Sequence, residues 1–531
     1  MNDTIKTIID AIKKQEHHNA ENLCWSALKK QPNSSELNKW LGISLLQQKK
    51  YSGGVSAFLK ALPEKKNDFD VINNLAFAYR HLEDYENAIK YLDEAEKIIP
   101  NQYAVKFNRT QIFFDLKKFD QALELVKECF ELIKNTQKEN YDSYYKNLQN
   151  LYIEIQLARN EVDEATNIMR EELYKEFDAR LFFNLSNSAP EKIDEKIKKQ
   201  AQNFALDKNE FFMQRSAAFL GLGRICEKEK KFQYAFEHYK IGNKIKAEKL
   251  RFKPFKSQER IKENIKYFNK NSYEEMYKNF NEDYKERGSN IIFVVGNPRS
   301  GTTLVESILG SSDKVNSAGE LNALQRLSSR SFENVTFEEI RNIGDEYLRI
   351  LKNFNKDGQH DFVIDKMPAN IYQVGLIKTC FPSAKIVCLN RRPLDNAWSI
   401  FTQLYLENIP YSSDLFNLGV ELSNAEALKK VWLSQNDNNN FLLIDYEEIV
   451  NDPQKYAKQL YSFIGIEGTY DAEKRKSFSS RTASKTQIKK DIYTSSVSRS
   501  KNYDIFLDEF QQSFDNQNKY WDKYLKDNKI Q

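Results

Sequence analysis

Residues 291–309 read IIFVVGNPRSGTTLVESIL. The apolar, β-branched run 291–295 predicts a buried strand. Gly296-Asn297-Pro298 ends it, and the amphipathic pattern from Thr303 onward predicts a helix. A strand, a glycine turn and a helix start make a phosphate cradle, because backbone N–H groups at a helix N-terminus point outward and the helix dipole favours an anion there. The spacing Gly296-x4-Gly301-Thr302-Thr303 matches the P-loop except that Thr302 replaces the lysine that reaches the β- and γ-phosphates. Arg299 is the one cation of the turn, which suits an anion with one or two charged groups better than a magnesium-bound triphosphate. A buried strand with a tight turn and no ligand is the plainer alternative.

Further apolar runs at 362–364, 386–389 and 441–444 alternate with helical patterns, the rhythm of a parallel sheet with helices on its faces. Ligands of such sheets sit beyond the carboxyl ends of the strands. Each run here ends in reactive residues: Asp365-Lys366-Met367-Pro368, Asn390-Arg391-Arg392-Pro393 and Asp445-Tyr446-Glu447-Glu448. Arg299, Lys366 and Arg391 follow three different strands, and Arg499 lies near the chain end. Gathered together they would hold a multiply charged anion, since arginine grips oxyanions through paired contacts. Taken singly, each is as readily a solvated surface charge. Arg391 and Ser399 are placed to share one phosphate, with Pro393 in the first turn of the intervening helix. Glu320, after Ser317-Ala318-Gly319, is the carboxylate expected to act as base. A helix cap, or a pair with Arg326, is an equal alternative. His360 precedes a strand and belongs at the opposite end.

The chain has 531 residues, enough for two domains or more. Its 80 basic and 76 acidic side chains are interspersed, which argues against a nucleic-acid binder. Mean hydropathy is −0.70 and no apolar run reaches membrane-spanning length, so no membrane partner is expected. No secretory leader is visible at the N-terminus. Cys24, Cys129, Cys226, Cys380 and Cys388 are scattered without metal-ligand spacing, which points to a reducing, cytoplasmic compartment without structural zinc.

In the N-terminal half, small residues recur every 34 positions at Ala20, Gly54, Ala88 and Ala122. Aromatics precede them at Tyr51, Tyr85 and Phe119. Leu41-Gly42 becomes Leu75-Ala76, and Ala61 becomes Ala95. A small side chain lets paired helices approach, and the aromatic fills the space beside it. This pattern resembles the tetratricopeptide repeat (TPR). It weakens after residue 140 and returns at Leu222, Gly223, Phe232, Ala235 and Tyr239; segment 186–208 is polar and reads as a longer connection. The expected architecture is multidomain α and α/β. A TPR α-solenoid spans 1–250, a bridging helix 251–287, and a P-loop-like parallel α/β domain 288–531. The solenoid's concave face would take a protein or peptide; packing on the second domain, or a homodimer, is the alternative.

These motifs resemble a known family. Residues 296–303 look like the 5′-phosphosulfate loop of sulfotransferases that use 3′-phosphoadenylyl sulfate (PAPS), and 391–399 resembles their 3′-phosphate motif. GNPRSGTTLVESIL, SAGEL, DKMPAN, RRPLDNAWS and TASKTQIKKDIYTSSVSR are similar to bacterial sulfotransferases that carry N-terminal TPR repeats, relatives of the protein-tyrosine sulfotransferases. The resemblance implies that Arg299, Ser300, Gly301, Thr302 and Thr303 hold the 5′-phosphosulfate, that Arg391 and Ser399 hold the 3′-phosphate, and that Tyr446 lines the nucleotide pocket. Glu320 falls on the catalytic base and Lys366 on the lysine facing the transferring sulfuryl group. Ser484 and Arg499 fall on late residues that close over PAPS. It also implies in-line transfer to an acceptor hydroxyl, with a protein or peptide tyrosine foremost. The chain departs at Arg392, where relatives often carry an acid, and at Ser500, where a tryptophan is common. Two other functions fit the residues: a P-loop kinase or NTPase, with Asp365 as a magnesium ligand, and a TPR peptide-binding protein with an inactive sulfotransferase-like domain.

Overall fold

The computed structural model describes residues 2–63, 67–134, 138–269, 274–275, 277–278, 280–328, 335–355, 358–405, 409–435, 439–468, 470–478, 492 and 497–530. Two compact units divide the chain, Met1–Ile155 and Gln156–Gln531.

The first unit is a run of helical repeats. Helix pairs Ser35–Gln47 with Tyr51–Ala61, Phe69–His81 with Tyr85–Ile98, and Tyr103–Asp115 with Phe119–Ile133 pack along the chain. Ala20, Gly54, Ala88 and Ala122 are all buried, as their spacing predicts. A β-carbon on Gly42 would lie 2.5 Å from the Phe58 ring, so the close helix contact needs the missing side chain. The turns repeat as well: Gln15, Lys49, Glu83 and Lys117 have φ of 62°, 59°, 61° and 59°, and each reverses the chain between paired helices.

The second unit opens with more helices. Segment 186–208, read from sequence as a connection, instead contains helix Glu195–Leu206. Asp194 caps it by accepting from Ile197 N at 3.0 Å, and Ile197, Ala201 and Ala205 form its buried stripe. Helices Phe212–Lys228 and Phe232–Ala247 restore the repeat geometry, with a β-carbon on Gly223 falling 2.8 Å from the Tyr239 ring. This pair packs on helix Pro393–Phe401. Tyr239 meets Trp398 edge-on at 5.4 Å, and Asn243 Nδ2 donates to Phe401 O at 2.7 Å. The compact boundary therefore falls at 155/156 rather than near 250, where the period alone suggests one. In segment 251–287, helix Pro254–Tyr267 packs on helix Leu415–Ser434, with Ser257 Oγ donating to Glu421 at 2.7 Å.

The sheet has five parallel strands, β1 (Ile291–Gly296), β2 (Val315–Gly319), β3 (Phe362–Asp365), β4 (Lys385–Asn390) and β5 (Phe441–Asp445), in the order β2-β3-β1-β4-β5. Central β1 is buried along its whole length. Four strands coincide with the apolar runs; β2 reads Val-Asn-Ser-Ala-Gly, has no such run, and forms as an edge strand through backbone pairing to β3. Among the described residues, no helix is long and apolar enough to cross a membrane.

His81 stacks on Tyr51 at 4.4 Å, and burial, with the Arg80 charge beside it, pushes it down to about 4. An unfolded chain takes up that proton near 6.5, so the unfolded state gains it first and stability falls as pH drops from 6.5 towards 4. Calorimetry of the full chain and of His81→Phe is expected to show the variant's melting temperature gaining on the wild type across that window.

Candidate active site

The loop after β1 is shaped by what presses on it. Gly296 has φ of 148°, and a β-carbon there would lie 2.9 Å from both Leu389 O and Ser300 Oγ. Gly301 has φ of 105°, and its β-carbon would sit 2.4 Å from the Tyr446 ring. Both positions thus exclude side chains. Between them Arg299 takes a left-handed φ of 63°, uncommon for a residue with a β-carbon and a mark of imposed geometry. The loop delivers the chain into helix Thr302–Leu309, whose first turn closes as Leu304 N donates to Gly301 O at 2.9 Å. Ser300 is fully buried, and its Oγ has no hydrogen-bond partner among the described residues.

The ends of β4 and β5 meet this loop. Arg391 Nη1 donates to Arg299 O at 2.6 Å, and its guanidinium lies 4.7 Å from the Tyr446 ring centre. Burial pulls Arg391 down from its ordinary value, the mark of a charge short of water. Arg299 Nε donates to Ser399 Oγ at 3.3 Å, and Asn396 Nδ2 donates to Pro298 O at 2.8 Å. The two motifs, a hundred residues apart in sequence, are therefore one assembly.

At the ends of β2 and β3, Lys366 is fully buried and pairs directly with Glu320, which is 43 % exposed. Its ammonium also lies 3.7 Å from Glu306, a buried carboxylate on the loop helix. Sequence reasoning passed over Glu306; the signal was the one acid in the mostly apolar Leu304–Leu309 stretch. Asp365 accepts from Tyr347 Oη at 2.7 Å and Asn370 Nδ2 at 3.0 Å, which ties it to neighbouring helices. His360 bonds the Asp313 carbonyl at the far end of β3.

A cavity of about 1990 Å³ is lined by Arg299, Gly301, Thr302, Thr303, Glu320, Arg391, Ser399, Tyr446 and Arg499. The fold thus brings together most residues singled out in the sequence. Lys366 is not in that lining and lies buried behind Glu320, and Ser484 lies outside the described residues. Arg499 differs from expectation in its partner. Its Nε and Nη2, one edge of the guanidinium, both donate to Glu227 of helix Phe212–Lys228, with Nε to Oε1 at 2.8 Å, so its charge is already matched. Burial raises Glu227, but the Arg499 and Arg224 charges outweigh that and hold it below the usual carboxylate range. Arg392 pairs with Asp395 at 2.6 Å and bonds Ser498 Oγ at 2.7 Å, and Asp395 accepts from Ser500 N at 2.9 Å. A buried backbone hydrogen bond therefore holds position 500.

Residues 291–471 match the model of the sulfotransferase family. An uncharacterized protein of Aquifex aeolicus is 30 % identical over 322 residues, 55 % of this chain and 40 % of its own length. A TPR repeat-containing protein of Methanocaldococcus jannaschii is 33 % identical over 85 residues, 16 % of this chain and 15 % of that one. The chain thus spans less than half the length of the curated relatives it matches. Similar solved structures include the sulfotransferase domain of a Synechococcus olefin synthase, with 18 % identity, 43 % of this chain, 95 % of that one and a TM-score of 0.32. A tetratricopeptide repeat protein from Parabacteroides merdae has 15 % identity, 46 % and 92 % coverage and a TM-score of 0.35.

Gly301→Ala is expected to destabilise the chain by more than the ~1–2 kcal/mol of a left-handed residue, because the Tyr446 ring is in the way. Adding Tyr446→Ala is expected to recover part of the loss in denaturant unfolding, giving less than the sum of the single variants.

Proposed function

We propose that this chain is a PAPS-dependent sulfotransferase acting on an acceptor hydroxyl, foremost a tyrosine of a protein or peptide. The observation that carries this reading is the buried, unpartnered Ser300 Oγ inside a loop that also presents Arg299 and the first turn of helix Thr302–Leu309, with Arg391 and Ser399 bound to the same loop. That donor set fits a nucleotide with anionic groups at two positions. Arg299, Ser300, Gly301, Thr302 and Thr303 would hold its 5′-phosphosulfate, Arg391 and Ser399 its 3′-phosphate, and Tyr446 its nucleoside. Ser484 and Arg499 belong to the segments that would close over it. PAPS supplies the sulfuryl group and leaves adenosine 3′,5′-bisphosphate.

Glu320 takes the proton of the acceptor hydroxyl. It lines the cavity and is 43 % exposed, so an acceptor can reach it, and a positioned base contributes about 10²–10⁴ in rate. Lys366 and Arg299 supply fixed positive charge beside it, where negative charge develops.

The cavity favours a large acceptor. Its volume of about 1990 Å³ exceeds the ~300–1,000 Å³ of a small-molecule site. Away from the loop it is lined by Lys228, Lys230, Arg251, Lys253, Lys256 and Arg260, and none of these forms a salt bridge among the described residues. Asp163, Glu191 and Glu227 share the lining, and Glu421, near Arg260, is pushed up by burial. An acceptor tyrosine flanked by acidic residues would match that wall. The repeats of the first unit are a second place for a protein acceptor to bind.

With radiolabelled PAPS and a tyrosine peptide flanked by glutamates, label is expected on the peptide, lost with tyrosine→phenylalanine. No transfer to that peptide, or to any molecule of a cell extract, contradicts the proposal. Glu320→Ala is expected to cut turnover roughly a hundredfold or more while nucleotide affinity holds. Arg391→Ala should instead weaken adenosine 3′,5′-bisphosphate first, and unchanged affinity would remove Arg391 from the 3′-phosphate site.

A further inference from the structure

Glu306 has no part in the chemistry above, yet it is one of the most deeply buried carboxylates of the chain. It sits on helix Thr302–Leu309 with no exposure to water. Ser317 Oγ donates to its Oε1 at 2.6 Å, and its Oε2 lies 3.7 Å from Lys366 Nζ. Ser317 Oγ in turn accepts from Gly319 N at 3.1 Å, and Lys366 N donates to Gly319 O at 2.8 Å. The contacts close a ring through the loop helix, the end of β2 and the end of β3. Glu320 follows Gly319 directly and meets the same ammonium from the cavity side. One buried cation thus has two carboxylates, one sealed in the protein and one open to the acceptor. Arg299 and Tyr405 line the cavity beyond them, and neighbouring Asp365 is held by Tyr347 and Asn370.

A buried ammonium needs a counter-charge, and a counter-charge that moves with catalysis cannot hold it still. Glu320 is such a mobile partner, because it must turn to an acceptor proton. Glu306 cannot move, being fixed by Ser317 and packed in a helix.

We infer that Glu306 is a positioning residue for Lys366. Its sealed carboxylate anchors the ammonium behind Glu320, keeps its charge directed at the sulfuryl position, and frees Glu320 from being the sole partner of that charge. What Lys366 is aimed at rests on the sulfuryl-transfer reading; the Glu306–Lys366 pair does not.

Two measurements on the full chain test this. The first is thermal unfolding without nucleotide of Glu306→Gln, Lys366→Met and the double variant. Lys366→Met strands a buried carboxylate and is expected to melt lowest, with the double variant melting above it; losses that simply add overturn the pair. The second is calorimetric titration with PAPS and with adenosine 3′,5′-bisphosphate, which differ in the sulfuryl group. Glu306→Gln is expected to lower the preference for PAPS roughly tenfold, as for one lost buried charge pair, and to leave bisphosphate affinity within about twofold. Glu306→Asp, which keeps the charge on a shorter arm, should fall between and serves if the glutamine variant does not fold. A wild-type preference in both variants overturns the positioning role. A wild-type chain that binds neither nucleotide would sink the transfer reading instead, and the melting comparison would still decide the pair.

Discussion

Tyr446 lies so close to the backbone of Gly301 that a β-carbon there would be 2.4 Å from its ring, while Arg391 rests 4.7 Å from the centre of the same ring. This contact ties the ends of β1, β4 and β5 into one object. It sets where helix Thr302–Leu309 begins, and so where its N-terminal end points. It holds Arg391 against the Arg299 carbonyl, which keeps two cations at a fixed separation despite their repulsion. An anion-binding site needs that preorganisation, because donors that had to reorganise on binding would lose much of their value.

The other half of the sheet is tied by charge. Lys366 joins β3 to the loop helix through Glu306 and to the chain after β2 through Glu320. The last helical pair adds a third wall, since Glu227 meets Arg499 and Tyr239 packs on Trp398 of the helix that also carries Ser399. Helices of repeat type are thus structural members of the cavity in the second unit. The residues that line the cavity come from helices, loop and sheet together, which explains why the glycine loop is easier to read from sequence than the rest of the lining.

The sequence made the phosphate loop legible because its geometry is local: a strand, two glycines and a helix start fall within a dozen positions. β1, β3, β4 and β5 were legible because a strand covered on both faces must be apolar throughout. β2 was not, since an edge strand of small and polar residues carries no such run. The repeat period foretold which small residues would be buried, but not where the compact units part, because that depends on Phe236 and Tyr239 finding Trp398 far along the chain. Glu306 and Glu227 were missed for the same reason. Each is an ordinary helical acid until folding brings Lys366 or Arg499 to it. Helix Glu195–Leu206 was hidden by its charges, although Ile197, Ala201 and Ala205 mark its buried face.

A crystal structure of the chain with adenosine 3′,5′-bisphosphate tests the central claim most directly. The account predicts the 5′-phosphate against the Arg299–Thr303 backbone, the 3′-phosphate on Arg391 and Ser399, and the Glu320 carboxylate facing the space where a sulfuryl group would extend. A nucleotide bound elsewhere, or a loop left empty at saturating ligand, would contradict it.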